Sequence, residues 1–178
     1  MNWGMHQYQE ANWSKKNCCN MTLCRYSKWS YHCHHKTICF QYLVEKYGPS
    51  DLQVMPDEDD YPMYLNWLFH SDATLTFPQT VVLRYKFQEP GVADAAVEGY
   101  SRWFVSRLKL LEKSLEDKEY LCSNRFTLAD ICVSYAINLA AALGIEQAQK
   151  PNIKRWSENL FSRPAFIKSK SFKYEPKD

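Results

Sequence analysis

The chain has 178 residues, nearly half of them apolar and about a quarter charged, which suits one domain with a real core plus a small appendage and excludes wholesale disorder. A net charge of +2 implies no polyanionic partner. No run of eighteen apolar residues spans a bilayer, and polar residues follow Met1 where a signal peptide would be apolar, so the expected compartment is cytoplasmic, with no membrane or nucleic-acid partner.

The seven cysteines are an odd number, and Cys18 and Cys19 are adjacent, which argues against a secreted disulfide framework. Composition is uneven along the chain. Residues 1–36 hold five basic residues (Lys15, Lys16, Arg25, Lys28, Lys36) against one acid, Glu10, and also four of the five histidines and four of the seven cysteines. Their only large branched aliphatic residue is Leu23, so they offer little from which to build strands or a core.

Three readings compete for this first segment. Cys18, Cys19, Cys24, His32, Cys33, His34, His35 and Cys39 are competent zinc ligands, but their spacing contains neither C-x-x-C nor H-x3-H, and no metal site is assigned. Trp3, Tyr8, Trp13, Tyr26, Trp29 and Tyr31 interleave with the basic residues as a surface that stacks on single-stranded bases would, though the net charge is modest for that task. The third reading is favoured: an atypical segment, disordered or translated out of frame, that joins the true sequence near Thr37, because it has the period of neither a helix nor a strand.

From Thr37 the pattern becomes helical. Ile38, Cys39, Tyr42 and Leu43 share one face of a short helix that Gly48 and Pro49 stop. A linker over residues 50–60 follows, with Asp57 to Asp60 placed to favour the positive end of a helix beginning near Tyr61, and Pro62 in its first turn. That helix carries an expected inward stripe of Tyr61, Tyr64, Leu65, Leu68 and Leu75 and is expected to end or kink at Pro78.

Beyond the loop at 88–91, Val97, Tyr100, Phe104, Leu108, Leu111 and Leu115 recur by threes and fours, which predicts an amphipathic helix of about five turns. In "NRFTLADICVSYAINLAAALGI", Thr127 and Asp130 form a capping box, Phe126 and Ile131 a hydrophobic staple, and Gly144 with Ile145 a left-handed stop. Between the caps only Asp130, Ser134 and Asn138 are strongly polar, so this helix is expected to be buried almost all round. A last helix places Ile153, Trp156 and Leu160 on one face before Pro164. The prediction is an all-α bundle of four substantial helices after residue 60 with a polar tail over 169–178.

The segments "ICFQYLVEKYG", "YLNWLFHSDATL", "RFTLADI" and "PNIKRWSENLFSRPAF", in this order, resemble the cytosolic glutathione S-transferase family, particularly its bacterial members. The resemblance runs from about Ile38 to Phe166. It implies that residues 37–49 are a remnant of a thioredoxin-like domain, its last helix, and that residues 61–168 are the family's C-terminal all-α domain. It also implies glutathione as co-substrate, with no other cofactor, a hydrophobic electrophile as second substrate, a homodimer, and a role in detoxification.

The family holds glutathione with a hydroxyl or thiol near the first strand, a cis-proline, and an acidic-Ser pair at the start of the last helix of the first domain. No proline precedes Pro49, and His34, His35, Lys36 and Thr37 stand where the acidic-Ser pair belongs. No catalytic residue is therefore assigned, and a non-catalytic ligand-binding or dimerisation module is the alternative. The resemblance nominates Tyr64, Trp67, His70 and Ser71 to line the electrophile pocket. Packing in the core or between subunits is the competing role for Tyr64 and Trp67, and a surface position the competing role for His70. Thr127 and Asp130 are read as structural.

Overall fold

The computed structural model describes residues 36–48, 50–145 and 150–171. The zinc, nucleic-acid and out-of-frame readings of the first segment fall on residues 1–35 and so lie outside the described residues, apart from Cys39 and the junction at Lys36 and Thr37. Most of the tail, from residue 172, lies outside them too.

The described residues are helical: α1 (Lys36–Tyr47), α2 (Tyr61–His70), α3 (Phe77–Leu83), α4 (Asp94–Ser114), α5 (Leu128–Ala142), α6 (Pro151–Phe161) and α7 (Pro164–Ser171). No strand forms among them, and Cys122 and Arg125 make an isolated bridge. The chain is all-α, as its periodicity requires. Helix α5 sits at the centre, against α1, α2 and α6, while α4 lies along α3 and α6.

The sequence is most legible at α5. Thr127 is its N-cap in extended geometry, its side chain takes the Asp130 backbone N–H, and the Asp130 carboxylate takes the Thr127 N–H at 2.9 Å. At the other end Gly144 has φ +66°, the Gly144 N–H reaches the Ala141 carbonyl at 3.1 Å, and the Ile145 N–H reaches back to Ala140 at 3.0 Å. This is the paired closure that a left-handed glycine permits, with Ile145 buried over the last turn. The expected polar stripe, however, is not the solvent stripe. Asp130 and Ser134 are buried, and water meets Tyr135, Asn138, Ala141 and Ala142 instead, because α6 and the loop before α5 cover the Asp130 side.

Helix α4 buries Phe104, Leu108 and Leu111, with Leu115 following, and keeps Val97 and Tyr100 half-buried against the core. Its C-terminal end is joined to the first turns of α6 in both directions. The Glu112 carboxylate accepts the Asn152 and Ile153 N–H groups at 3.1 and 3.0 Å, supplying the anion that the α6 N-terminus lacks in its own first turn. In return the Arg155 guanidinium donates to the Leu115 carbonyl at 2.5 Å, just past the C-terminus of α4.

Two expectations need correction. Pro78 does not end the helix from Tyr61. A π-helical segment, Ser71–Thr76, precedes it, α3 carries on, and a second π segment, Arg84–Gln88, completes one continuous rod. Proline lacks the N–H for a regular bond and its ring crowds the preceding turn; the wide turn, in which the Phe77 N–H bonds Asp72 instead of the residue four back, makes the room. The rod's buried line is Tyr64, Trp67, Leu68, Ser71, Leu75, Pro78, Gln79 and Val82, with Tyr61 and Leu65 half-buried at its margin.

On α1 the buried side chains are Thr37, Cys39 and Val44, whereas Ile38 and Tyr42 are 59% and 48% exposed. The face that meets α5 and the rod is set by Thr37, Gln41 and Val44, one turn apart, so the more apolar Ile38 and Tyr42 point away from the bundle. Helix α6 stops before Pro164, and Pro164 starts α7, a proline being well suited to a first helical position.

The linker is also part of the fold. Arg125 donates to the Asp51 and Gln53 carbonyls at 3.1 and 2.7 Å and forks onto the Glu58 carboxylate at 2.6 and 2.7 Å. The Ser123 N–H donates to Asp60 at 2.6 Å. Two of the acids expected at the α2 N-terminus thus hold the linker to the loop before α5, and Asp60 makes no side-chain cap to α2. The pairing holds the Glu58 carboxyl down at about 2, chiefly through the Arg125 hydrogen bonds.

Candidate functional site

The residues nominated for the pocket sit on the last two turns of α2 and the first residue of the π segment. Tyr64, Trp67 and Ser71 are sealed, at 1%, 0% and 0% exposure, on the side of the rod that meets α5 and α1. The Tyr64 hydroxyl donates to Gln41 Oε1 of α1 at 2.9 Å, and the Ser71 hydroxyl donates to the Leu68 carbonyl at 2.8 Å. His70 lies half-buried, edge-on to Trp67 with ring centroids 5.4 Å apart. The rod therefore brings Tyr64, Trp67 and Ser71 into the core and leaves His70 at its edge.

Their chemistry follows from burial. Desolvation pushes the Tyr64 phenol well above its usual range, so it is a hydrogen-bond donor and not a phenolate. Burial, aided by the charge of Arg107, holds the His70 imidazole below its usual value and hence neutral near pH 7. The Trp67 Nε1 and His70 Nε2 atoms are buried without a hydrogen-bond partner.

A second polar group of side chains gathers beside them, one that no spacing in the chain foretells. The π segment turns Asp72 toward the start of α1, where its carboxylate pairs with Lys36 Nζ and accepts the Thr37 hydroxyl at 2.6 Å. Lys36 also donates to the Thr76 hydroxyl at 3.2 Å. Beneath them is the Cys132 thiol of α5, fully buried and within hydrogen-bonding reach of the Thr37 and Ser71 hydroxyls. Burial pushes this thiol up to about 11, and that of Cys122 to about 12. Both are protonated at neutral pH and neither is a nucleophile.

The Asp130 carboxylate is the most heavily bonded polar group in the core. Besides the Thr127 N–H it accepts the Thr127 hydroxyl at 3.2 Å, the Leu121 N–H at 3.0 Å and the Trp156 indole N–H at 3.0 Å. Burial pushes its pKa up, and these four donors pull it back. Its task is to join α5, α6 and the preceding loop. The capping pair is visible in the spacing; the bonds from Leu121 and Trp156 are not, because both are tertiary.

Among the described residues no three His, Cys, Asp or Glu side chains come together as a metal site. A pocket of about 500 Å³ opens at the far end of α4 and α6, lined by Glu116, Asp117, Lys118, Glu119, Arg155, Trp156 and Asn159, away from the rod residues above.

Residues 89–164, the stretch that contains α4, the Asp130 node and α6, match the family model for the glutathione S-transferase C-terminal domain. Over these residues the chain carries a glutathione S-transferase C-terminal helical domain. The glutathione S-transferase sirG of Leptosphaeria maculans is 27% identical over 145 residues, covering 79% of this chain and 62% of that protein. The glutathione transferase URE2P6 of Phanerochaete chrysosporium, solved in complex with oxidized glutathione, superposes with a TM-score of 0.68 at 26% identity, over 78% of this chain and 65% of that one. This chain thus spans a little under two thirds of the length of these two transferases. A valine–tRNA ligase of Takifugu rubripes is 28% identical over 106 residues, which is 57% of this chain but 9% of the ligase. The transferase helical domain is therefore similar to a small part of a protein named for another activity.

Proposed function

We propose that the chain serves glutathione conjugation to hydrophobic electrophiles as the electrophile-side helical domain of a glutathione transferase, and that the described residues alone do not activate the glutathione thiol. The match over 89–164, with the capped helix at its centre, carries the family part of this reading. The second part rests on chemistry: the Tyr64 phenol is buried and held protonated, the Cys122 and Cys132 thiols likewise, and Thr37, the hydroxyl at the start of α1, is already donating to Asp72.

In this reading the electrophile side lies along the rod that carries Tyr64, Trp67, His70 and Ser71, with His70 at its edge and the other three backing it from the core. The partners are glutathione, an apolar electrophile and a second copy of the chain, for which Met63, Phe69, Phe77 and Leu110 leave apolar surface exposed on α2, α3 and α4. Among the described residues no helix is long and apolar enough to cross a bilayer. The site of action is the cytoplasm, in detoxification.

A second reading, a non-catalytic ligand-binding or dimerisation module, is favoured by the match to the valine–tRNA ligase and by the same lack of an activating group. Retention on immobilised glutathione, followed by conjugation of a 2,4-dinitrophenyl halide, separates the two. Retention with turnover supports the transferase reading and places the activating group outside the described residues. Absence of both, in a chain that elutes as a dimer, would leave the module.

A further inference from the structure

The two segments that lead into the bundle are attached by different means. The linker is tied to the loop before α5 by Arg125, through two carbonyls and a carboxylate, and by the bond from the Ser123 N–H to Asp60. Helix α1 inserts little apolar surface: Cys39 and Val44 are buried and Phe40 packs at the edge of the core. What joins α1 to the rod is mainly polar, with Lys36 and Thr37 on Asp72, Lys36 on Thr76, and Tyr64 on Gln41. Between the two attachments stands Gly48, at φ +71°, whose N–H closes the last turn on Val44 at 2.8 Å.

Such a contact opens at low cost. The Lys36 and Asp72 side chains are 14% and 25% exposed and, with the buried Thr37 hydroxyl, recover water when they part, whereas separating α5 from α2 or α6 exposes whole apolar faces. We propose that α1 is a hinged cover over the π segment, latched by the Asp72 carboxylate, and that its release about Gly48 uncovers the Cys132 thiol while the bundle stays closed. The cover has a defined underside: Thr37 and Lys36 lie over Cys132, Ser71 and Asp72. The π turn supplies the latch, since it is this segment that carries Asp72 and Thr76. The inference concerns the motion of α1 and is independent of whether the chain turns over.

Cys132 reports on the motion and Cys122 serves as its control, because Cys122 is equally buried but lies in the loop held by Arg125. The full chain, its Asp72→Ala variant and its Lys36→Met variant are treated with N-ethylmaleimide under native conditions, and alkylation is followed by mass spectrometry at each cysteine. Both variants are expected to alkylate Cys132 about ten-fold faster than the parent, the order expected for losing a charged hydrogen bond, with Cys122 unchanged. An unchanged Cys132 rate in either variant overturns the proposal. So does a parallel rise at Cys122, which would mean that α1 and the bundle open as one unit.

Discussion

The centre of the bundle and the approach to it use polar groups in opposite ways. Around α5 the polar groups are few and buried, and the principal one, Asp130, is satisfied by four donors from three segments of chain. Along α1 and the linker they are many and partly exposed, with Lys36, Asp72, Glu58 and Arg125 each at the surface on one side. The contrast shows where charge carries stability and where it carries position. A buried acceptor cannot be lost without stranding its donors, whereas surface pairs set geometry and yield to salt and pH.

The largest effect should therefore come from the centre. Asp130→Ala leaves the Leu121 and Thr127 N–H groups and the Trp156 indole without a partner, and should lower unfolding free energy by about 3 kcal/mol or more in urea titration. A loss below about 1 kcal/mol would show that the node is not central. Thr127→Ala removes the cap but spares the carboxylate, and should cost about 1–2 kcal/mol. Equal losses in the two variants would assign the node's whole contribution to the cap.

Lys86→Met is a smaller perturbation. Lys86 Nζ donates to the Leu143 carbonyl at 2.7 Å, a cation at the C-terminus of α5, and its loss should cost about 0.5–1 kcal/mol. The smallest global effect, and the most local, concerns the linker. Glu58 titrates at about 2 in the folded chain against an ordinary carboxylate value of 4.5, so the stability it adds is present above the ordinary value and is lost as pH falls through the window toward 2. Amide exchange at residues 51–60 should accelerate over that window while α5 stays protected. In Glu58→Gln the acceleration should be present already at neutral pH. An acid response confined to α5 would reverse the comparison between centre and approach.

What could be read in the sequence follows the same division. Helix α4 was legible because six apolar residues recur on one face, and the ends of α5 because Thr127, Asp130, Gly144 and Ile145 act on neighbours in the chain. The family resemblance rests on those same local signals. The approach was not legible. Arg125 reaches partners more than sixty residues away, and nothing in "NRF" marks it as the linker's anchor. Asp72 looked like one polar residue in a helix, and its role depends on a turn that widens because of Pro78, six residues later. Ile38 and Tyr42 misled because the apolar side of α1 is not the side that meets the bundle.

The π segment has one more consequence, concerning chain length. Six residues wound with bonds five apart lag a regular helix by roughly one residue's rotation, about 100°. Deleting one residue from Ser71–Thr76 would close the wide turn, press the Pro78 ring against the turn before it and turn Asp72 away from Lys36 and Thr37. The rod is thus a place where the loss of a single codon reaches both the line of the helix and its contact with α1.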